Sequence, residues 1–104
     1  MHKAFKNLKK IRKENKMSKE EIYKKIIICL EKEKTGGINK ESITSSTNLF
    51  LDLELDSIEI VNFVVALEEV FDVRFNEPFE LINNFESIDK LVEYCDFQLN
   101  GGGN

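Results

Sequence analysis

The stretch that decides the fold is SIEIVNFVVALEEVF, residues 57–71. Large apolar side chains cover most of its helical circumference, so a helix formed here has to lie at the centre of a domain. Its β-branched residues also suit a strand, but a length of fifteen residues and a single polar line favour a helix. That line, predicted to face outward, consists of Glu59, Asn62, Ala66 and Glu69.

The residues before this stretch predict a first helix and a long loop. Ser18 and Glu21 form a capping box, and an apolar residue recurs at helical spacing from Ile22 onward. Gly36-Gly37 should end the helix. The loop that follows, residues 38–55, is polar, and its bulky apolar side chains are expected to pack on the core because exposing them to water is costly. These side chains are Ile43, Leu49, Phe50, Leu51 and Leu53.

The residues after the central stretch predict two further helices. Pro78 suits the first position of a short helix that ends at Asn83-Asn84. Ser87 caps a longer one, whose apolar face begins at Ile88. The predicted fold is therefore all-α: a four-helix bundle with three longer helices, one short helix and a long first loop.

The length of 104 residues allows one small domain, and the charge is unevenly distributed along it. Residues 1–16 carry a net charge of +6 and are expected to be a basic leader or disordered tail, although apolar residues at helical spacing also suit a surface helix for membrane or RNA. Residues 17–99 are the predicted domain, and residues 100–104 a flexible Gly-rich tail. Residues 17–104 carry a net charge of −10, and from Glu41 onward the net charge is −12, which should repel nucleic acid.

Several classes of protein and site are excluded. The longest unbroken apolar run has five residues, against the roughly 20 that span a bilayer, and no secretory signal is present, so a cytoplasmic protein without stable membrane insertion is expected. Cys29 and Cys95 lie in apolar helical patterns and are expected to be reduced core residues rather than metal ligands. Asp52, Glu54 and Asp56 alternate like calcium ligands, but the glycine and glutamate that a calcium loop requires are missing. No metal is expected.

No catalytic residue can be assigned. The single histidine, His2, lies in the basic leader, and no nucleophile and base can be paired elsewhere. The chain is therefore predicted to be a substrate of other enzymes rather than an enzyme.

Two segments carry a family resemblance. Leu53-Glu54-Leu55-Asp56-Ser57-Ile58-Glu59, followed by VVALEEVFD at residues 64–72, resembles the acyl carrier proteins, and the similarity extends over roughly residues 18–97. The resemblance implies that Ser57 receives 4'-phosphopantetheine from coenzyme A and that Asp56 is the aspartate of the attachment motif. It also implies a monomer that carries acyl groups as thioesters and is served by phosphopantetheinyl transferase and by acyl-transferring and chain-elongating synthase enzymes.

The resemblance assigns further residues. The expected partner-binding residues are Glu59, Asn62, Glu68 and Glu69, although the three glutamates also suit a plain solvated face. The expected lining of an acyl-chain site is Val64, Leu67, Phe71 and Ile88. The sequence also departs from the family pattern: Ile58 replaces a leucine, Glu54 a glycine and Asn62 a carboxylate.

The charges around Ser57 indicate a role for the acidic residues beside it. A helix start favours one added negative charge by about 0.3–1 kcal/mol, and each nearby carboxylate at about 7 Å in water opposes it by roughly 0.6 kcal/mol before salt screening. Because screening weakens the repulsion until the two effects roughly cancel, we infer that the acidic residues address basic partner enzymes.

Other hypotheses stay open at this point. Ser57 is also explained as an ordinary helix-start serine, with Asp56 as N-cap and Glu59 completing a capping box. The expected cargo is an acyl group, carried in fatty acid or specialised lipid or polyketide synthesis. The alternative cargo is an aminoacyl, peptidyl or D-alanyl group. A third hypothesis is an acidic helical interaction module without an arm.

Overall fold

The computed structural model describes residues 17–101, and these form four α-helices and two short 3-10 turns. The helices are α1 (Lys19–Glu33), α2 (Ser57–Phe71), α3 (Pro78–Asn83) and α4 (Ile88–Asn100). The turns are Lys40–Ser42, in the first loop, and Asn84–Glu86, which joins α3 to α4; neither was predicted. The all-α architecture with one short helix is confirmed. The predicted basic leader and residues 102–104 lie outside the described residues.

Local signals determine the ends of the first helix. The Ser18 hydroxyl accepts a hydrogen bond from the Glu21 N–H, and the Glu21 carboxylate accepts one from the Ser18 N–H, so the predicted capping box is present. The helix ends at Glu33, and Gly36 and Gly37 follow with φ of +86° and +78°. Only glycine adopts that left-handed conformation without strain, which explains why the chain turns away here.

The core lies where α1 packs against both α2 and α4. Phe63 and Phe85 are fully buried near its centre, with their ring centroids 5.6 Å apart in an edge-to-face arrangement. Cys29 and Cys95 are buried and not disulfide-bonded, as predicted, and burial raises the pKa of Cys95 to about 12. No helix among residues 17–101 is long and apolar enough to cross a bilayer.

The long loop between α1 and α2 is anchored to the start of α4. The N–H groups of Ile88 and Asp89 donate to the carbonyls of Thr47 and Ser45, at 3.0 and 2.8 Å. The first N–H groups of a helix have no partner inside it, so the loop supplies the acceptors they need. The loop is therefore long but held by the last helix.

The apolar residues of this loop divide into two groups. Ile43 and Leu49 are buried and the half-buried Leu53 packs against the core, as predicted, but Leu51 is 76% exposed, so the expectation was wrong for Leu51. Phe50 is partly exposed, yet its ring centroid lies 5.7 Å from that of the buried Phe85. A tight turn at Asn48, whose side-chain oxygen accepts hydrogen bonds from the N–H groups of residues 50 and 51, both at 2.8 Å, explains the exposure of Leu51.

The two ends of the described region meet. The side-chain amide of Asn100 donates to the carbonyl of Met17 at 2.9 Å, across 83 residues of sequence. Asn100 is thus the last residue of α4 rather than part of a flexible tail, and Gly101 ends the helix with a left-handed φ of +86°.

The residue two positions before Asp56 has a strained backbone. Glu54 has φ of +54°, in the left-handed region. This is the position at which the resembled family has glycine, and the structure supplies the reason, because a side chain there costs about 1–2 kcal/mol.

Replacing Glu54 by Gly should therefore stabilise the domain. The variant relieves the backbone strain, but glycine makes the unfolded chain more flexible, which opposes folding. The net gain in the free energy of unfolding is about 0.5–1 kcal/mol. Urea unfolding measures it. Glu54→Ala is the matched control, because it removes the same carboxylate and keeps the strain; an equal gain in the alanine variant would contradict the prediction.

Candidate functional site

Serines lie at the start of three helices, in two different environments. Ser18 and Ser87 are N-caps, and each hydroxyl accepts a hydrogen bond from an N–H of the first helical turn, at 3.1 and 3.0 Å. Ser57 is instead the first residue of α2 and is exposed. Within residues 17–101 its hydroxyl makes no hydrogen bond. An exposed hydroxyl that is not needed for capping therefore lies at the start of the central helix.

Asp56 does the capping in place of the serine. Its Oδ1 accepts from the N–H of Glu59 at 2.8 Å, and Oε1 of Glu59 accepts from the N–H of Asp56 at 2.9 Å. The predicted capping box is thus confirmed. Because two carboxylates fulfil the capping role, the Ser57 hydroxyl is left available for chemistry.

The start of α2 suits a phosphate ester on Ser57. The N–H groups of Ser57 and Ile58 belong to the first turn, where no intrahelical acceptor exists, and the helix dipole favours an anion there. Three exposed carboxylates precede the serine and oppose this attraction: Asp52, Glu54 and Asp56. The geometry therefore admits the phosphate, and the surrounding acidic residues do not bind it.

Glu59 is turned into the protein. Only 5% of its surface is exposed. Besides its bond to the N–H of Asp56, its carboxylate accepts from the N–H of Thr35 at 2.8 Å and lies 3.5 Å from the ammonium of Lys34. The N–H of Asp56 first, then the N–H of Thr35, lower the pKa of Glu59 to about 2.

The predicted outward face of α2 was partly wrong. Glu59 and Ala66 are buried, and the exposed side contains Ile58 (71%), Val61 (60%) and Val65. The reason is that Glu59 finds hydrogen-bond donors at the end of α1, while the small side chain of Ala66 is buried against the core. The exposed side of α2 thus includes apolar side chains beside the polar ones.

The remaining predicted site residues have different degrees of exposure. Asn62 and Glu69 are exposed, whereas Glu68 is half-buried and accepts a hydrogen bond from the N–H of Phe75 at 2.9 Å. Of the predicted acyl-chain lining, Leu67, Phe71 and Ile88 are buried and Val64 is half-buried. That these four residues enclose an acyl chain stays a prediction.

The lowered pKa of Glu59 predicts a pH dependence of stability. Its folded-state pKa of about 2 is below the ordinary value of 4.5, so its contribution is fully present above pH 4.5 and is lost as the pH falls from 4.5 to 2. The stability gap between the wild type and Glu59→Gln should be constant at higher pH and narrow across this range. Urea unfolding of both proteins over a pH series measures the gap. A stability difference between the two proteins that stays constant down to about pH 2 would contradict the prediction.

The four-helix fold with an exposed serine at the start of its central helix is the arrangement expected of a carrier domain for a covalently attached group. Comparison with known proteins agrees: the family model described as "Phosphopantetheine attachment site" matches residues 33–95, which include Ser57. The chain is 33% identical over 78 residues to an acyl carrier protein of Lactobacillus acidophilus, covering 75% of this chain and 92% of the relative. No solved structure gave a significant match.

Two further relatives have the same description. An acyl carrier protein of Syntrophobacter fumaroxidans is 38% identical over 58 residues, covering 56% of this chain and 69% of the relative. A mitochondrial acyl carrier protein of Saccharomyces cerevisiae is 29% identical over 80 residues, covering 75% of this chain and 62% of the relative. The chain belongs to the acyl carrier protein family. It is a carrier protein rather than an enzyme, and its prosthetic group is 4'-phosphopantetheine.

Proposed function

We propose that Ser57 is the attachment residue and that the chain carries acyl intermediates as thioesters on the arm, in fatty acid or specialised lipid or polyketide biosynthesis. The observation that supports the assignment is the exposed Ser57 hydroxyl at the first position of α2, where Asp56 does the capping. The family match supports the arm itself.

The chemistry of attachment assigns separate roles to the carrier and to the transferase. The Ser57 oxygen forms a bond to phosphorus, the pyrophosphate bond of coenzyme A breaks, and the nucleotide bisphosphate leaves. We assign the base that takes the hydroxyl proton to the transferase, since residues 17–101 contain no histidine and Oδ1 of Asp56, beside the serine, accepts from the N–H of Glu59. The chain contributes an accessible oxygen and a helix start that accommodates the resulting phosphodiester.

The surface around Ser57 suits the enzymes that must reach it. Near Ser57 in sequence, the apolar side chains of Leu51, Ile58 and Val61 are exposed, and so are the carboxylates of Asp56 and Glu69. We assign phosphopantetheinyl transferase and acyl-transferring and chain-elongating synthase enzymes as partners, whose contact surfaces would be apolar with a basic rim. The expectations of a monomeric carrier domain at residues 17–99 and of a cytoplasmic location belong to the same proposal.

Intact mass spectrometry tests the proposal. Incubation of the full chain with coenzyme A and a broad-specificity phosphopantetheinyl transferase should add one arm, and peptide mapping should locate it at Ser57. A reaction without coenzyme A is the control. An unmodified protein, or an arm on another residue, would overturn the assignment.

The alternative cargoes share the arm and differ in what the thiol accepts. Loading reactions with acyl donors and with aminoacyl donors distinguish an acyl carrier from an aminoacyl, peptidyl or D-alanyl carrier. We expect loading with acyl groups, since the similar proteins are described as acyl carriers. Partner binding by a protein that never acquires an arm in cells would instead support the interaction module.

A further inference from the structure

We propose that Glu59 is a positioning residue for the modification of Ser57 and not a docking residue for partner enzymes: its carboxylate fastens the backbone before the serine to the end of α1. The inference rests on the proposed function, because it names a second residue on which the same reaction depends.

Both oxygens of the Glu59 carboxylate are engaged inside the molecule. Oε2 accepts from the Thr35 N–H at 2.8 Å, and Oε1 accepts from the Asp56 N–H at 2.9 Å. Thr35 follows α1 and Asp56 precedes Ser57, so one side chain joins two segments that lie about twenty residues apart in sequence. With 5% of its surface exposed, Glu59 would have to break these bonds to pair with a partner's basic group.

Lys34 extends the same connection to the strained residue. Its ammonium lies 3.5 Å from Oε1 of Glu59 and 3.4 Å from the carbonyl oxygen of Glu54. The left-handed backbone of Glu54 is therefore held at its own carbonyl and again two residues later, at the N–H of Asp56. These contacts hold the backbone where the chain enters α2, and with it the position from which the Ser57 side chain projects.

Glu69 provides a matched comparison on the same helix. It has the same side chain and the same charge, it is exposed, and it makes no ion pair within residues 17–101. A role in docking should therefore appear at Glu69, and a role in positioning at Glu59. The two roles differ in their kinetics, because a surface charge acts on encounter and on its salt dependence, whereas the orientation of the serine acts on the chemical step.

Steady-state kinetics of arm transfer to the full chain separate the two roles. Glu59→Gln keeps the size of the side chain but replaces one of the two accepting oxygens by an NH2 group. An NH2 group cannot accept a hydrogen bond, so one of the two backbone N–H groups loses its partner. We expect kcat to fall about tenfold with KM changed less than twofold, equally at low and high salt. Glu69→Gln should leave kcat unchanged and raise KM by about twofold to threefold at low salt only.

Lys34 supplies an independent variant. Lys34→Met removes the ammonium and leaves the two backbone hydrogen bonds of Glu59 in place, so kcat should fall less, about threefold. Because both residues act through one connection, the double variant Glu59→Gln/Lys34→Met should lose about as much as Glu59→Gln alone. If Glu59→Gln loses helical circular dichroism, Lys34→Met decides the question.

An amide NMR spectrum gives a readout that does not depend on the reaction. The Thr35 N–H, which donates to a carboxylate, should move upfield in folded Glu59→Gln and stay in place in Glu69→Gln. A kcat of Glu59→Gln equal to that of the wild type, or a defect confined to KM that disappears at high salt, would overturn the inference. If the wild type itself acquires no arm on Ser57, the proposed function fails, whereas a modified wild type with an unaffected Glu59→Gln refutes only the positioning role.

Discussion

The variant Ser57→Ala is expected to acquire no phosphopantetheine under conditions in which the wild type is fully modified. The alanine side chain has no oxygen to form the phosphodiester, so the loss should be complete. Stability should change by less than about 0.5 kcal/mol, since the hydroxyl is exposed and Asp56 caps the helix.

Ser87→Ala is the matched control, because it removes a hydroxyl from another helix start. The Ser87 hydroxyl accepts from the Lys90 N–H at 3.0 Å, so its loss should cost about 1 kcal/mol of stability and leave the arm in place. The two variants should therefore behave in opposite ways: Ser57→Ala loses the arm and keeps its stability, whereas Ser87→Ala keeps the arm and loses stability. A modified Ser57→Ala protein would refute the assignment of the attachment residue.

The largest effect on stability is expected from Phe85→Ala. The Phe85 ring is fully buried, 5.6 Å from the ring of Phe63 and 5.7 Å from that of Phe50. Removing it leaves a cavity at the centre of the core and costs about 3–5 kcal/mol. The free energy of unfolding of a small domain is roughly 5–15 kcal/mol, so this variant should be close to unfolded.

Phe79→Ala is the control for the loss of a phenylalanine. Its side chain is 80% exposed, and the change should stay within about 0.5 kcal/mol. Urea unfolding of both variants gives the midpoints, and an unchanged m-value shows that stability alone has changed. A Phe85→Ala midpoint as high as that of Phe79→Ala would contradict the assigned core.

The sequence predicted those parts of the fold that depend on neighbouring residues. The capping boxes at Ser18 and at Asp56 each involve residues three positions apart, and the structure contains both. Pro78 begins the short helix, as predicted. Such signals depend on short stretches of backbone and are therefore readable without knowledge of the tertiary structure.

The orientation of α2 could not be read in the same way. Apolar residues surround most of this helix, so its polar line gives little energetic preference for one outward face. The side that is buried depends on the Thr35 N–H, which lies 24 residues earlier in sequence and holds Glu59 inside. One local signal pointed to this, since the glutamate of a capping box turns back toward the helix start and not outward.

The candidate site was likewise predicted in part. The availability of Ser57 follows from its place one residue after a capping aspartate, which the sequence contains. The strain at Glu54 was indicated only as a departure from the family's glycine, because a backbone angle is not visible in a sequence. The exposure of Ile58 and Val61 depends on how the helices pack, and no pattern within α2 predicted it.

The anchoring of the first loop by the last helix constrains when the domain can form during its own synthesis. Carbonyls at residues 45 and 47 receive their donors from residues 88 and 89, so a nascent chain emerging in N-to-C order has to wait for the start of α4. Until that helix leaves the ribosome, the loop leading to Ser57 lacks these two hydrogen bonds. Newly made carriers should thus become good transferase substrates only after α4 has emerged.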